Sequence, residues 1–128
     1  MAEKYKIEWD NEAKTVVLQT YYKGATTADV FGIAQESADM LRSVDHTVHL
    51  IILRMSGPPS VTASDLSRIN KMVPANQGHV LVIGKMYEEI LSKMGEKVAP
   101  RAVQDSHLFS TLEEARQYLI DELGVAYP

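Results

Sequence analysis

The chain has 128 residues, 45% of them hydrophobic and 23% charged, with 13 Lys/Arg against 17 Asp/Glu and a formal charge of −4. One domain over residues 1–128 fits that length and would bury roughly 65–70% of its unfolded surface. The mildly acidic balance, without a Lys/Arg cluster, disfavours nucleic acid, and the lack of cysteine excludes disulfides, thiolate catalysis and cysteine-ligated metal centres.

Lys6-Ile7-Glu8-Trp9 alternates polar and apolar residues, Asp10-Asn11-Glu12 supplies turn chemistry, and Thr15–Tyr22 is rich in β-branched and aromatic residues. Together these predict an antiparallel hairpin. Thr26 with Asp29 forms a capping-box pattern. The helix it starts carries Val30, Ile33, Ala34, Ser37, Leu41 and Val44 at helical spacing. Val48–Leu53 is a nearly continuous apolar run, as expected of a parallel strand covered on both faces.

A tight Ser56-Gly57-Pro58-Pro59 turn follows, then a helix capped by Thr62 with Asp65 and stopped by Pro74, since proline inside a helix costs ~3 kcal/mol. His79–Gly84 reads as a second buried strand, 87–98 as a helix closed by Pro100, and Ala102–Gln104 as a short strand. Ser110 and Thr111 offer overlapping caps to a last helix bearing Ala115, Leu119 and Leu123, with Gly124 at its C-cap. The order ββαβαβαβα implies an α/β fold with a single mixed, mainly parallel five-stranded sheet and about four helices. No apolar run approaches the ~18 residues of a membrane span. Met1–Tyr5 is polar where a signal peptide would be apolar, so a cytoplasmic location is expected.

The order of elements, the strand entering Leu53-Arg54-Met55-Ser56-Gly57, the capped helix after it and the closing stretch from Phe109 to Leu119 resemble the SpoIIAA-like branch of the STAS domain superfamily. The resemblance spans nearly the whole chain. Anti-sigma-factor antagonists of that branch carry a strand ending in Asp-apolar-Ser and then Asp-Ser-Ser-Gly at a helix start, the second serine of the tetrad being phosphorylated by a partner kinase. Those positions fall here on Arg54-Met55-Ser56 and Thr62-Ala63-Ser64-Asp65. Ser56 and Ser64 match, whereas Arg54, Thr62 and Asp65 replace the two aspartates and the glycine. The resemblance implies a regulatory module whose partner, an anti-sigma factor or a kinase-like protein, docks around Ser56, Thr62 and Ser64. The branch is also related in topology to CRAL-TRIO lipid-binding domains, which implies an apolar ligand as the alternative.

Each candidate has a plainer role beside it. Ser64 in a first helical turn sits where free N–H groups and the helix dipole favour a phosphate, but serine suits first turns in any case. Thr62 reads first as an N-cap, worth ~1 kcal/mol. Arg54 and Lys85 offer charge to an anionic head group. Gly84-Lys85 lacks the spacing of a phosphate loop. Tyr87, with Tyr21, Tyr22, Met86 and Met94, suits an apolar pocket or ordinary core.

His79 begins a strand and His107 follows the last one, which places them at opposite ends of the sheet. No three of His46, His49, His79 and His107 are then expected to converge on a metal. Asp105, Ser106 and His107 sit with Ser56 and Ser64 at the strand carboxyl ends, the place where ligands bind in open α/β sheets. A hydrolase using a serine with His107 and Asp105 is therefore a third reading, although no Gly-x-Ser-x-Gly elbow is present. The expectation is a non-enzymatic module without cofactor or metal, able to dimerise through an apolar hairpin edge of Trp9, Tyr21 and Tyr22.

Overall fold

In the computed structural model, which describes residues 5–22, 26–54, 63–83 and 106–127, the chain opens with the expected hairpin. Strand β1 (Tyr5–Trp9) pairs antiparallel with β2 (Val16–Tyr21), Ile7 opposite Gln19. Asn11 wires the turn between them. Its side chain accepts from the Thr15 N–H at 3.0 Å and donates to the Thr15 hydroxyl at 2.7 Å, while Lys14 takes the left-handed backbone conformation (φ 57°).

Helix α1 (Thr27–Arg42) starts at its capping box: the Thr26 hydroxyl accepts from the Asp29 N–H, and the Asp29 carboxylate accepts from the Thr26 N–H at 2.7 Å. Then come β3 (Val48–Arg54), α2 (Ala63–Met72), β4 (Gln77–Ile83), β5 (Ser106–Phe109) and α3 (Leu112–Leu123). Helix α2 ends two residues before Pro74, as a proline stop requires. In α3 the Thr111 hydroxyl accepts from the Glu114 N–H at 3.1 Å, and Gly124 closes the helix in the left-handed conformation (φ 66°).

The five strands lie in the order β1-β2-β3-β4-β5, with β2 to β5 mutually parallel. The fold is therefore α/β with one mixed, mainly parallel sheet, and the described residues hold three helices. The expected helix over 87–98 and the strand over 102–104 lie outside the described residues, as do Ser56, Thr62, Lys85, Tyr87 and Asp105. The strand that pairs with β4 is Ser106–Phe109. Ser106 and His107 thus lie within a strand, and the expectation that they follow it is corrected.

Side-chain alternation splits the sheet into two apolar layers. Val17, Val48, Leu50, Val80 and Val82 face Leu41 of α1. Val16, Leu18, Ile51, Leu81 and Ile83 face Ala115 and Leu119 of α3. Ile51, Leu81 and Leu119 are fully buried, and each such side chain contributes about 1.5–3 kcal/mol. The polar pair inside the first layer is satisfied, Gln19 donating to the Ser37 hydroxyl at 2.8 Å. Helix α2 lies beside α1, where Arg68 covers the Phe31 ring at 4.6 Å and Arg42 donates to the Met72 carbonyl at 3.3 Å.

One expectation changes at this level. Because the strand order runs in sequence without reversing among the described residues, these strands form no switch-point crevice, the feature that makes carboxyl ends of open sheets bind ligands. Of the residues expected at an apolar hairpin edge, Tyr21 is only 5% exposed inside the sheet, whereas Trp9 is partly buried against the α1-side core and Tyr22 is half-buried.

Among the described residues α3 alone covers the second face, and it crosses that face from β5 to the first hairpin. Its far side is pinned there. Arg116 grips Asp10 with two bonds, Nε–Oδ2 at 3.0 Å and Nη2–Oδ1 at 2.6 Å, and the Tyr127 hydroxyl donates to the same carboxylate at 2.6 Å. The bond to Asp10 holds Arg116 above its usual value against the opposing effect of burial. Burial first, and then the Asp10 bond, raise the Tyr127 phenol, so it stays a donor. Asn11 fixes the same segment by donating to the Ala126 carbonyl at 3.0 Å.

The Asp10 side chain is 4% exposed but that of Arg116 is 38% exposed, so loss of the carboxylate leaves a cation that water still reaches. Asp10→Ala is expected to cost about 2–3 kcal/mol and Tyr127→Phe about 1 kcal/mol in urea unfolding. Equal stability of Asp10→Ala and the parent chain would mean that the latch holds nothing.

Candidate functional site

The residues singled out in the sequence separate when placed on the fold. Arg54 ends β3, paired across the sheet with Tyr21 of β2. Ser64 is exposed in the first turn of α2, with Asp65 beside it, in the helical layer that α1 and α2 share. His107 is elsewhere. It lies level with Leu81 and Ile51, three residues short of Arg54 along the strands, and faces α3 on the other side of the sheet. Ser64 in the helical layer and His107 on the α3 side thus lie on opposite faces of the sheet. Ser106, one residue away in the strand, turns to the opposite face.

His107 instead completes a row that sequence reasoning missed. His49 and His79 lie in the amino-terminal halves of β3 and β4, and His107 lies in β5 level with Leu81, all on the α3 face. His49 opposes His79 across β3 and β4 through an irregularity in their register, and His107, level with Leu81, reaches His79 diagonally from two residues further along β5. Val48 pairs with Gln77 but Leu50 pairs with Val80, so His49 alone opposes the two residues Gly78 and His79. The His49 ring lies over Gly78, where a Cβ would come within 2.5 Å of His49 Nδ1. Glycine is the residue that leaves room for it.

The hydrogen bonds fix much of the proton arrangement. The His79 main-chain N–H donates to His49 Nδ1 at 2.9 Å. A neutral His49 therefore carries its proton on Nε2. His79 Nδ1 and His107 Nε2 are 3.1 Å apart, their rings inclined by 15° with centroids 5.3 Å apart. An imidazole nitrogen lies about 1.1 Å from its ring centre, so both nitrogens sit on the line joining the centres. The rings meet edge to edge through one N–H···N bond, and do not stack face to face. The Tyr118 hydroxyl of α3 approaches the same His107 Nε2 at 3.2 Å, and Phe109 packs on the Tyr118 ring.

This arrangement favours a shared proton over a metal. The two nitrogens face each other head-on, so a metal about 2.0 Å from each would need the rings to turn their lone pairs toward it. No three His, Asp or Glu side chains among the described residues gather around a metal position. The fourth histidine does a structural job: a ring nitrogen of His46 donates to the Lys14 carbonyl at 2.8 Å. Asn76 donates to the Leu41 and His46 carbonyls at 2.8 and 2.9 Å, tying the end of α1 to the start of β4.

Burial, and secondarily the neighbouring His79, lowers the His49 pKa below its usual 6.5. No helix among the described residues is long and apolar enough to cross a membrane. Comparison of the chain with protein-family models, with curated proteins and with solved structures returns no match.

A lowered histidine pKa sets the sign of a pH effect. As pH falls through about 6.5, the unfolded chain takes up a proton that folded His49 resists, so stability falls on the acid side and is complete above 6.5. His49→Asn offers an oxygen acceptor to the His79 N–H but does not titrate. Urea unfolding between pH 7.5 and about 5 should show a shallower acid decline for His49→Asn than for the parent chain. Identical slopes would remove His49 from the acid response.

Proposed function

We propose that this chain is a non-enzymatic regulatory or binding module of STAS type, which docks a protein partner over the first turn of α2. The observation that carries the reading is the exposure of Ser64 at that turn, in the position where the resemblance puts the regulatory serine. Helix α2 has ten residues, enough for an aligned dipole that favours an added phosphate at its first turn. Asp65 opposes that phosphate by like charge, which tunes the switch toward the unmodified state. The partner implied is an anti-sigma factor or a kinase-like protein, and the location that suits it is cytoplasmic.

The other readings draw less support. An apolar carrier needs an apolar cavity; among the described residues the groove beside β1 is lined by Asp29, Glu36, Asp39 and Lys6 together with Tyr5, Ile7 and Met40, and Met86, Tyr87 and Met94 lie outside the described residues. A hydrolase built on Ser64 and His107 is disfavoured by their placement on opposite faces of the sheet.

The test is incubation with the host's Ser/Thr kinases followed by peptide mass spectrometry. Phosphate on Ser64, lost in Ser64→Ala, is the expected result, and Ser64→Glu should weaken partner docking by about tenfold. A chain with no phosphoserine at 64, whose partner binding is indifferent to Ser64→Glu, would overturn the reading.

A further inference from the structure

The hydrogen-bond parity of the first hairpin determines what its open edge presents. The Asp10 N–H donates to the Val16 carbonyl at 2.8 Å. In an antiparallel ladder the inward and outward residues alternate. Lys6, Glu8 and Asp10 therefore turn their main-chain groups toward β2, while Tyr5, Ile7 and Trp9 turn theirs outward. The sheet ends at β1, so no strand among the described residues takes up those outward groups. An unprotected edge of this kind is a template for another strand.

Side chains sort the occupant. Ile7 and Trp9 pack toward α1, and by alternation Lys6 and Glu8 occupy the opposite face. There they form an ion pair at 3.4 Å with about half of each side chain open to solvent, 52% and 42%. We propose that β1 pairs antiparallel with β1 of a second copy about a two-fold axis at Ile7, making one continuous ten-stranded sheet. In that register Lys6 lies opposite Glu8 of the second copy and Glu8 opposite its Lys6.

All three outward residues then fall at hydrogen-bonded positions, Ile7 with its own equivalent and Tyr5 with Trp9 on either side. Six main-chain bonds result. The strand is thus complementary to itself in both charge and hydrogen-bond parity. The nearest slips that keep the parity, by two residues, set Glu8 against Glu8 of the second copy in one direction and Lys6 against its Lys6 in the other. Like charges directly opposite disfavour both slips.

On the α1 side the carboxylates that line the groove beside β1, Asp29, Glu36 and Asp39, approach their equivalents. Physiological salt largely screens that repulsion. The interface is short, so the association is weak and belongs at protein concentrations of about 100 µM.

Sedimentation velocity at physiological salt, with circular dichroism to confirm folding, tests the pairing through charge exchange. The parent chain dimerises. Lys6→Glu and Glu8→Lys each set like charges opposite one another and weaken the dimer by about tenfold. The double exchange restores it, and so does a one-to-one mixture of the two single variants, which pair as a heterodimer. A parent chain that stays monomeric overturns the proposal and leaves the edge to a strand from another protein. A dimer indifferent to either single change, or not restored by the double exchange, overturns this register.

Discussion

A parallel sheet must be covered on both faces, and among the described residues one face of this sheet depends on a single helix. Helices α1 and α2 share the first face, whereas α3 alone spans the second, from Phe109 on β5 to Val16 and Leu18 on β2. The covering is apolar in origin: Ala115 and Leu119 are fully buried against Ile51 and Leu81. Burial is not directional. It does not say at what angle α3 crosses, and the Asp10 latch does. With its carboxylate nearly buried and bound by both Arg116 and Tyr127, the latch fixes the end of the helix against the first turn. That placement also sets Tyr118 over His107.

Magnitudes separate what holds the fold from what aims it. Each fully buried branched side chain contributes about 1.5–3 kcal/mol. Exposed ion pairs such as Arg42 with Asp39 at 3.9 Å contribute at most about 1 kcal/mol. The two apolar layers therefore supply most of the stability. Among the described residues, several polar side chains gather at the amino edge, where strands begin and main-chain groups need partners. Asn11, Asn76, His46 and His49 each bond to the backbone there. The carboxyl edge, where Ser64 is exposed, is left for a partner in the functional reading proposed above.

Much of the fold was legible in the chain. The capping box at Thr26, the N-cap at Thr111, the Pro74 stop and the Gly124 cap act locally, so their residues mark them. The Val48–Leu53 run reads as buried on both faces because a parallel strand has no solvent side. The latch was illegible, since Asp10 and Arg116 lie 106 residues apart in the chain. The histidine row was missed because the last strand was expected at 102–104, which put His107 beyond a strand end.

A signal for the row was present. Val48-His49-Leu50-Ile51, Gly78-His79-Val80-Leu81 and Ser106-His107-Leu108-Phe109 all place one histidine just before apolar residues. In parallel strands that pattern puts the three rings on one face, and the β4–β5 register sets His107 two residues further along than His79. The bulge at Gly78, which brings the His79 N–H onto His49 Nδ1, needs the register and is not written in the pattern.

The histidine row ties these features together, because it exists only if His107 lies in β5 level with Leu81, the β3–β4 register shifts at Gly78 and α3 lies over His107. Long-range ¹H–¹⁵N spectra of the imidazoles test all three at once. The account predicts a scalar coupling between His79 Nδ1 and His107 Nε2 through one shared proton, with His49 held as the Nε2–H tautomer and its Nδ1 an acceptor. Three uncoupled imidazoles, each with the tautomer balance of free histidine, would contradict it.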